Sequence, residues 1–446
     1  VPCIGIKITK IEMRSSGMKR NMEEQLLKWR NKARRKPLIV YGARQTGKTY
    51  SIKEFGKKYF EHTVYINFEI NQKIVRDFEE DISPSFLIHR MEVFFNQKIN
   101  PDTTLIFFDE IQACERALSS LKYFCEDAPE YYVIAAGSLL GVAMNREKYS
   151  FPVGKVDQIN MYPMRLDEFM LALGEDLLLE EIKNCFMEKK KMDPALHEKA
   201  LQIYREYLIV GGMPEAVAVY AEEKRILEAV DIQNHILNAY VADMAKYATA
   251  SDTTKIMACF DSIPAQLAKD NRKFQYKVVA QGGKASLFGT SIDWLLAAGI
   301  VTKCERVEHG LHPLEIYKNL SGFKLYMSDV GLLTTKAGTT AYDIISGNDH
   351  VFIGALTENY IANTLEMNRY RLYYWSSGGE AEVDFIIEQE GKVVPIEVKA
   401  RDHTKSRSLS IFHSKYKLEK TIRFSSRNFG WENGIEAIPL YAAWLV

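Results

Sequence analysis

An excess of charge of either sign is missing from this chain. Its 446 residues carry 58 Lys+Arg and 58 Asp+Glu, a formal net charge of zero. A polycation built to coat nucleic acid is thereby excluded. A local basic patch is not, because steering follows the distribution of charge as well as its total. Paired cysteines are missing too. The six cysteines (3, 114, 125, 185, 259, 304) form no C-x-x-C pair. That argues against a zinc ribbon or a disulfide framework and points to reduced thiols in a cytoplasmic protein. Long apolar runs are also absent. The longest uncharged apolar stretch, Tyr131 to Met144, contains Gly137 and Ser138 and falls short of the roughly 18 to 20 residues that span a bilayer. The opening VPCIGIKITKIEMRSS is broken by Lys7, Lys10, Glu12 and Arg14, so no signal peptide is expected. The chain begins with Val, and Met13, Met18 and Met22 are plausible starts. Residues 1–17 are assigned no function.

What is present reads as a globular protein. Hydrophobic residues make up 47% and charged residues 26%, and the length suits two to four domains. After a basic helical stretch (18–36), apolar runs recur at LIVYG (38–42), TVYINFEI (63–70), TTLIFFDEIQ (103–112), YYVIAAGS (131–138) and VDQINMYPM (156–164). Continuous rather than alternating runs suit strands buried on both faces of a parallel sheet. Helices are expected between them at 48–60, 84–97 and 115–127, which makes an α/β architecture. From 165 to 248 the spacing becomes helical, interrupted by Gly-Gly-Met-Pro at 211–214. Beyond 350 a helix precedes RLYYW, EVDFIIEQ and KVVPIEVKA, the last two joined by a turn at Glu390-Gly391.

GARQTGKT (Gly42, Ala43, Arg44, Gln45, Thr46, Gly47, Lys48, Thr49) fits G-x-x-x-x-G-K-[ST]. It follows an apolar strand and precedes a helix, the context that its chemistry needs. Backbone N–H groups and the helix N-terminus favour phosphate. Lys48 is expected on the β- and γ-phosphates of ATP, and Thr49 on Mg²⁺. LIFFDE (105–110) supplies the rest. Asp109 is expected to hold Mg²⁺ through water, and Glu110 to orient or deprotonate the attacking water. Ser138, ending the next apolar run, matches the polar sensor position of AAA+ ATPases. Arg146, Lys155 and Arg165 follow it as candidates for an arginine finger.

Taken together, GARQTGKT, FFDEIQ, AAGS, FPVGKVDQINMYPMRLDEF, YLIVGGMPEAV, KLYMSDVGLL and EVDFIIEQEGKVVPIEVKA resemble a bacterial and archaeal family of AAA-type P-loop ATPases. The C-terminal domain of that family is related to restriction-endonuclease-like PD-(D/E)xK folds. The resemblance begins near residue 18. It implies a P-loop ATPase core over 18–165, a helical lid over 166–250, a winged-helix-like piece over 251–335 and a nuclease-like α/β domain over 336–446. It implies Lys269, Arg272, Lys273, Lys277 and Lys284 as contacts to DNA phosphates, or as the surface charges of a spacer. In the tail it implies Asp384 on one strand and Glu397 with Lys399 on the next. Residues two apart on a strand share a face. Asp384 and Glu397 would hold Mg²⁺, Lys399 would hold or activate water, and Glu358 would be a further acidic ligand. Lys405, Arg407 and Lys415 follow that site.

The function expected from these residues is ATP hydrolysis coupled to a DNA-directed, metal-dependent nuclease-like tail. The alternative is an ATP-driven switch or assembly protein with a non-catalytic tail. ATP and Mg²⁺ are the expected ligands and DNA a candidate partner. No membrane is expected, and self-association is left open.

Overall fold

The computed structural model describes residues 18–138, 140–144, 151–345, 352–377, 381–400, 407–432 and 434–446. All five expected apolar runs form strands: β1 (Leu38–Tyr41), β2 (His62–Asn67), β3 (Thr104–Asp109), β4 (Tyr132–Ala136) and β5 (Asp157–Asn160). They pair in parallel in the order β2-β3-β4-β1-β5. Successive side chains on a strand point to opposite faces, and the core divides accordingly. Ile39, Ile106, Phe108, Val133 and Ala135 belong to one apolar cluster. Leu38, Val40, Leu105, Phe107, Ile134 and Ala136 belong to another. This explains why the runs show no alternation: both faces are covered. Helices Lys48–Tyr59, Pro84–Phe95 and Glu115–Asp127 lie where expected. Gln72–Glu80 was not anticipated; only Ile74 and Phe78 are buried along it, one turn apart.

The chain divides between Tyr162 and Pro163 into two compact units. The second begins with helices Leu166–Ala172, Asp176–Met187, Pro194–Val210, Pro214–Glu223 and Ile226–Tyr247. Helices Ala250–Leu267, Tyr276–Val279 and Ala285–Ala297 follow. After them come β6 (Val301–Val307) and β7 (Lys318–Met327). Helix Ile353–Met367 leads to β8 (Tyr373–Ser376), β9 (Glu382–Gln389) and β10 (Lys392–Val398). Helix Arg407–Tyr416 leads to β11 (Thr421–Ser425), β12 (Gly430–Glu432) and β13 (Ile435–Pro439). These eight strands form one sheet, ordered β12-β13-β11-β10-β9-β8-β6-β7.

That sheet corrects the expected boundary between 335 and 336. β6 pairs with β7 antiparallel and also with β8 in parallel, Glu305 opposite Tyr373 and Val307 opposite Trp375. The strands read as the end of a separate middle domain therefore belong to the sheet of the tail. The β9–β10 hairpin turns at Glu390 and Gly391, both with positive φ (51° and 76°), the geometry that a two-residue hairpin loop favours.

The GGMPE and DVGLL signatures meet inside this unit. Asp329 caps helix Val330–Lys336, accepting from Leu332 N at 2.9 Å and from Gly212 N at 2.6 Å. Gly211 has φ +66°, and a Cβ there would lie 2.3 Å from Asp329 Oδ1. The glycine is needed both for its backbone and for the room that it leaves. Burial pushes the Asp329 carboxyl up to about 6, against the backbone N–H groups of Gly212, Leu332 and Gly331. A carboxyl raised in the folded state contributes its full stability below about pH 4, the range of the unfolded group. That contribution is lost as pH rises through about 6. Asp329→Asn is therefore expected to flatten the decline of the thermal midpoint between pH 4 and 6. Parallel profiles for the two proteins would rule out titration of Asp329 in that window.

Among the described residues the cysteines are free, and no helix is long and apolar enough to cross a membrane.

Candidate nucleotide site

The loop 42–47 joins β1 to helix Lys48–Tyr59. Three of its residues have positive φ: Gly42 (143°), Gln45 (65°) and Gly47 (90°). Lys48 is buried, and its Nζ donates to the carbonyls of Gly42 (2.9 Å) and Ala43 (2.7 Å). Thr46 Oγ1 donates to the same Ala43 carbonyl at 3.0 Å. Burial pulls the Lys48 ammonium down to about 8, Glu110 and Asp109 draw it back up, and Arg44 pushes it further down. The strand order puts β4 between β1 and β3, so the ends of all three strands converge beside the loop. Asp109 ends β3, where Oδ2 accepts from Thr49 Oγ1 at 2.8 Å and Oδ1 from Glu110 N at 3.1 Å. Glu110 follows in the left-handed region (φ 50°, ψ 44°). Ser138 Oγ, just past β4, donates to Glu110 Oε2 at 3.4 Å.

Three further residues, none assigned a role from the sequence, join the site. Tyr65 on β2 donates its hydroxyl to Asp109 Oδ2 at 3.0 Å. Gln112 Nε2 donates to Glu110 Oε2 at 2.5 Å. Arg20 bridges two backbone carbonyls, Thr46 at 3.0 Å and Tyr162 at 2.8 Å. Gln112 lies inside the FFDEIQ motif, so its position was legible and its role was not. Of the arginine-finger candidates, Arg146 lies outside the described residues. Lys155 pairs with Glu126 at 2.8 Å. Arg165 is held by Asp167 at 2.6 Å and by Asn368. Thr49 and Asp109 suit Mg²⁺: both offer hard oxygens, already 2.8 Å apart.

The tail is arranged differently from expectation. Glu397 and Lys399 do share a face, with Lys399 Nζ 3.2 Å from Glu397 Oε1. Arg423 Nε takes Glu397 Oε2 at 2.8 Å. Asp384 Oδ2 accepts from Val398 N at 2.8 Å. Burial pushes the Asp384 carboxyl up, while Lys324, Lys399 and Arg272 oppose the shift. Glu358 is fully buried, and its Oε2 accepts from Arg272 Nη1. Its Oε1 accepts from Lys324 Nζ at 3.1 Å and from the Tyr326 hydroxyl. Lys324 also reaches Glu382 at 2.8 Å, and Lys273 lies 3.6 Å from Glu382. The expected Mg²⁺ site of Glu358, Asp384 and Glu397 does not fit: the chain's own cations pair with Glu358 and Glu397, and Asp384 accepts from the Val398 backbone. Among the described residues no three acidic, histidine or cysteine side chains gather to hold an ion. Lys405 and the side chain of Arg407 lie outside the described residues, and Lys415 lies over the Trp375 ring.

Residues 34–170 match the AAA domain family. Residues 201–343 and 353–443 match two domains of unknown function, DUF8612 and DUF4143. An uncharacterized protein of Methanocaldococcus jannaschii is 24% identical over 193 residues, 43% of this chain and 38% of that protein. The chain thus spans well under half of that relative's length. Among solved structures, a Walker-type ATPase of Pyrococcus abyssi aligns with TM-score 0.44 and 12% identity, covering 72% of this chain and 95% of that one. Aeropyrum pernix ORC1, in complex with DNA, aligns with TM-score 0.30 and 12% identity over 74% of this chain and 92% of that one. The loop, the strand-end acids and the family match agree: residues 34–170 are similar to AAA domains.

Proposed function

We propose that the chain binds and hydrolyses ATP at the 42–49 loop. The observation that carries this reading is the convergence of Lys48, Thr49, Asp109, Glu110 and Ser138 at adjacent strand ends. On binding, Lys48 exchanges the carbonyls of Gly42 and Ala43 for β- and γ-phosphate oxygens. Loop N–H groups and the helix N-terminus take the remaining phosphate charge. Thr49 and Asp109 would hold Mg²⁺, which when bound neutralises phosphate charge. Glu110 accepts the proton of the attacking water, and Ser138 senses the γ-phosphate.

For the second unit we propose a restriction-endonuclease-like α/β core that serves as a binding module without metal-dependent cleavage. The order helix, β8, β9, β10, helix, β11 supports the fold. The internally paired Glu358 and Glu397 argue against the chemistry. We propose a winged-helix-like role for helices 250–297 with the β6–β7 pair, and DNA as the partner. Arg272 and Lys273 pair with Glu358 and Glu382, whereas Lys277 and Lys284 are exposed.

ATP turnover of the purified chain, with and without DNA, tests the proposal; no turnover in either case would refute it. Replacing Lys277 and Lys284 by Ala should shrink the log–log salt slope of DNA binding by about 0.9 per lost phosphate contact. An unchanged slope would remove this face from the reading. Cleavage in Mg²⁺ that is lost in Asp384→Ala would restore the nuclease instead.

A further inference from the structure

We infer that Gln112 is a positioning residue that aims the carboxylate of Glu110, an inference that rests on Glu110 being the base. Glu110 sits at φ 50°, ψ 44°, a conformation that a non-glycine side chain keeps only when its surroundings enforce it. The 3₁₀ turn Ile111–Ala113 that follows buries Gln112. From there Nε2 donates to Glu110 Oε2 at 2.5 Å. Ser138 Oγ reaches the same oxygen at 3.4 Å from the end of β4. Gly137, beside Ser138, makes this contact sterically feasible. A Cβ at 137 would stand 2.3 Å from Gln112 Oε1, so any side chain there would displace the carboxamide.

The end of β3, the turn and the end of β4 are thus built around one carboxylate oxygen. Both donors converge on Oε2, which leaves proton acceptance to Oε1. A carboxamide suits this task because it presents N–H donors without competing for the proton. Gln112 holds the base while Lys48 and Thr49 serve the phosphates, so its loss should slow chemistry without weakening nucleotide binding.

The test is steady-state ATP turnover and nucleotide affinity of the full chain, with thermal midpoints recorded in parallel. Gln112→Ala should lower kcat by about ten- to a hundredfold with KM and nucleotide affinity unchanged. Gly137→Ala should reproduce that defect through the displaced carboxamide. It should add nothing in a Gln112→Ala background, where no carboxamide remains to be displaced. Gln112→Glu, of nearly the same size, should be slower than Gln112→Ala, because it sets a second carboxylate against Glu110. A packing role alone would reverse that order. Wild-type kcat in Gln112→Ala, additive effects of the two substitutions, or a defect confined to KM would overturn the inference. If Glu110→Gln is inactive while Gln112→Ala is not, only this inference falls. If Glu110→Gln hydrolyses ATP normally, the reading beneath it falls.

Discussion

Glu110→Gln is expected to bind ATP as the wild type does and to hydrolyse it about 10² to 10⁴ times more slowly. The substitution keeps the shape of the side chain, and the contacts to Lys48 and Thr49 do not run through it. What it removes is the capacity to accept a proton. Lys48→Ala is expected to fail one step earlier. The buried ammonium that bridges the Gly42 and Ala43 carbonyls is the group available to the β- and γ-phosphates, and its loss should abolish both binding and turnover. A fluorescent-nucleotide titration paired with phosphate release separates the two defects. Wild-type turnover in Glu110→Gln would strike Glu110 from the mechanism. Wild-type affinity in Lys48→Ala would do the same for the loop.

The second large effect is on stability. Glu358→Ala should lower the unfolding free energy by about 3 to 5 kcal/mol. Glu358 is fully buried and accepts from Arg272, Lys324 and Tyr326. Removing it takes one of two close carboxylates from Lys324, itself 1% exposed, and takes from Arg272 the carboxylate that it pairs with. Buried cations that lose a carboxylate partner are expensive. A metal ligand would behave in the opposite way. Removing it would relieve repulsion between neighbouring carboxylates, and Mg²⁺ would stabilise the wild type by mass action. Denaturant titrations of both proteins, with and without Mg²⁺, therefore separate the roles. An Ala variant as stable as the wild type, together with a Mg²⁺-dependent midpoint in the wild type, would restore the metal site.

The candidate nucleotide site was legible because its signals are local. A strand, a glycine loop and a helix are contiguous, and the paired acids end an apolar run. Tyr65 and Arg20 escaped notice for a physical reason. Tyr65 reaches Asp109 across the sheet, and the partners of Arg20 are backbone carbonyls 26 and 142 residues away. A carbonyl acceptor leaves no residue-type signature. The tail misled in a different way. Asp384, Glu397 and Lys399 are present at the right spacing, but the cations that occupy Glu358 lie far off in sequence, Arg272 86 residues away and Lys324 34. One warning was available. A lysine inside the apolar run FKLYM, where every residue is buried, needs a buried partner.

The pairing of β6 with β8 bears on how the chain acquires its structure during synthesis. Emerging from the ribosome, β6 is paired with β7 on one side and open on the other. Its missing neighbour, β8, lies beyond helix Ile353–Met367, so Glu305 must wait for Tyr373 to be made. Such non-local pairing is slow and leaves an exposed strand edge in the interval. The regions matched separately at 201–343 and 353–443 are thus obliged to mature together. A chain interrupted between them would release an unfinished sheet, with the β6 edge free to recruit another molecule's strand.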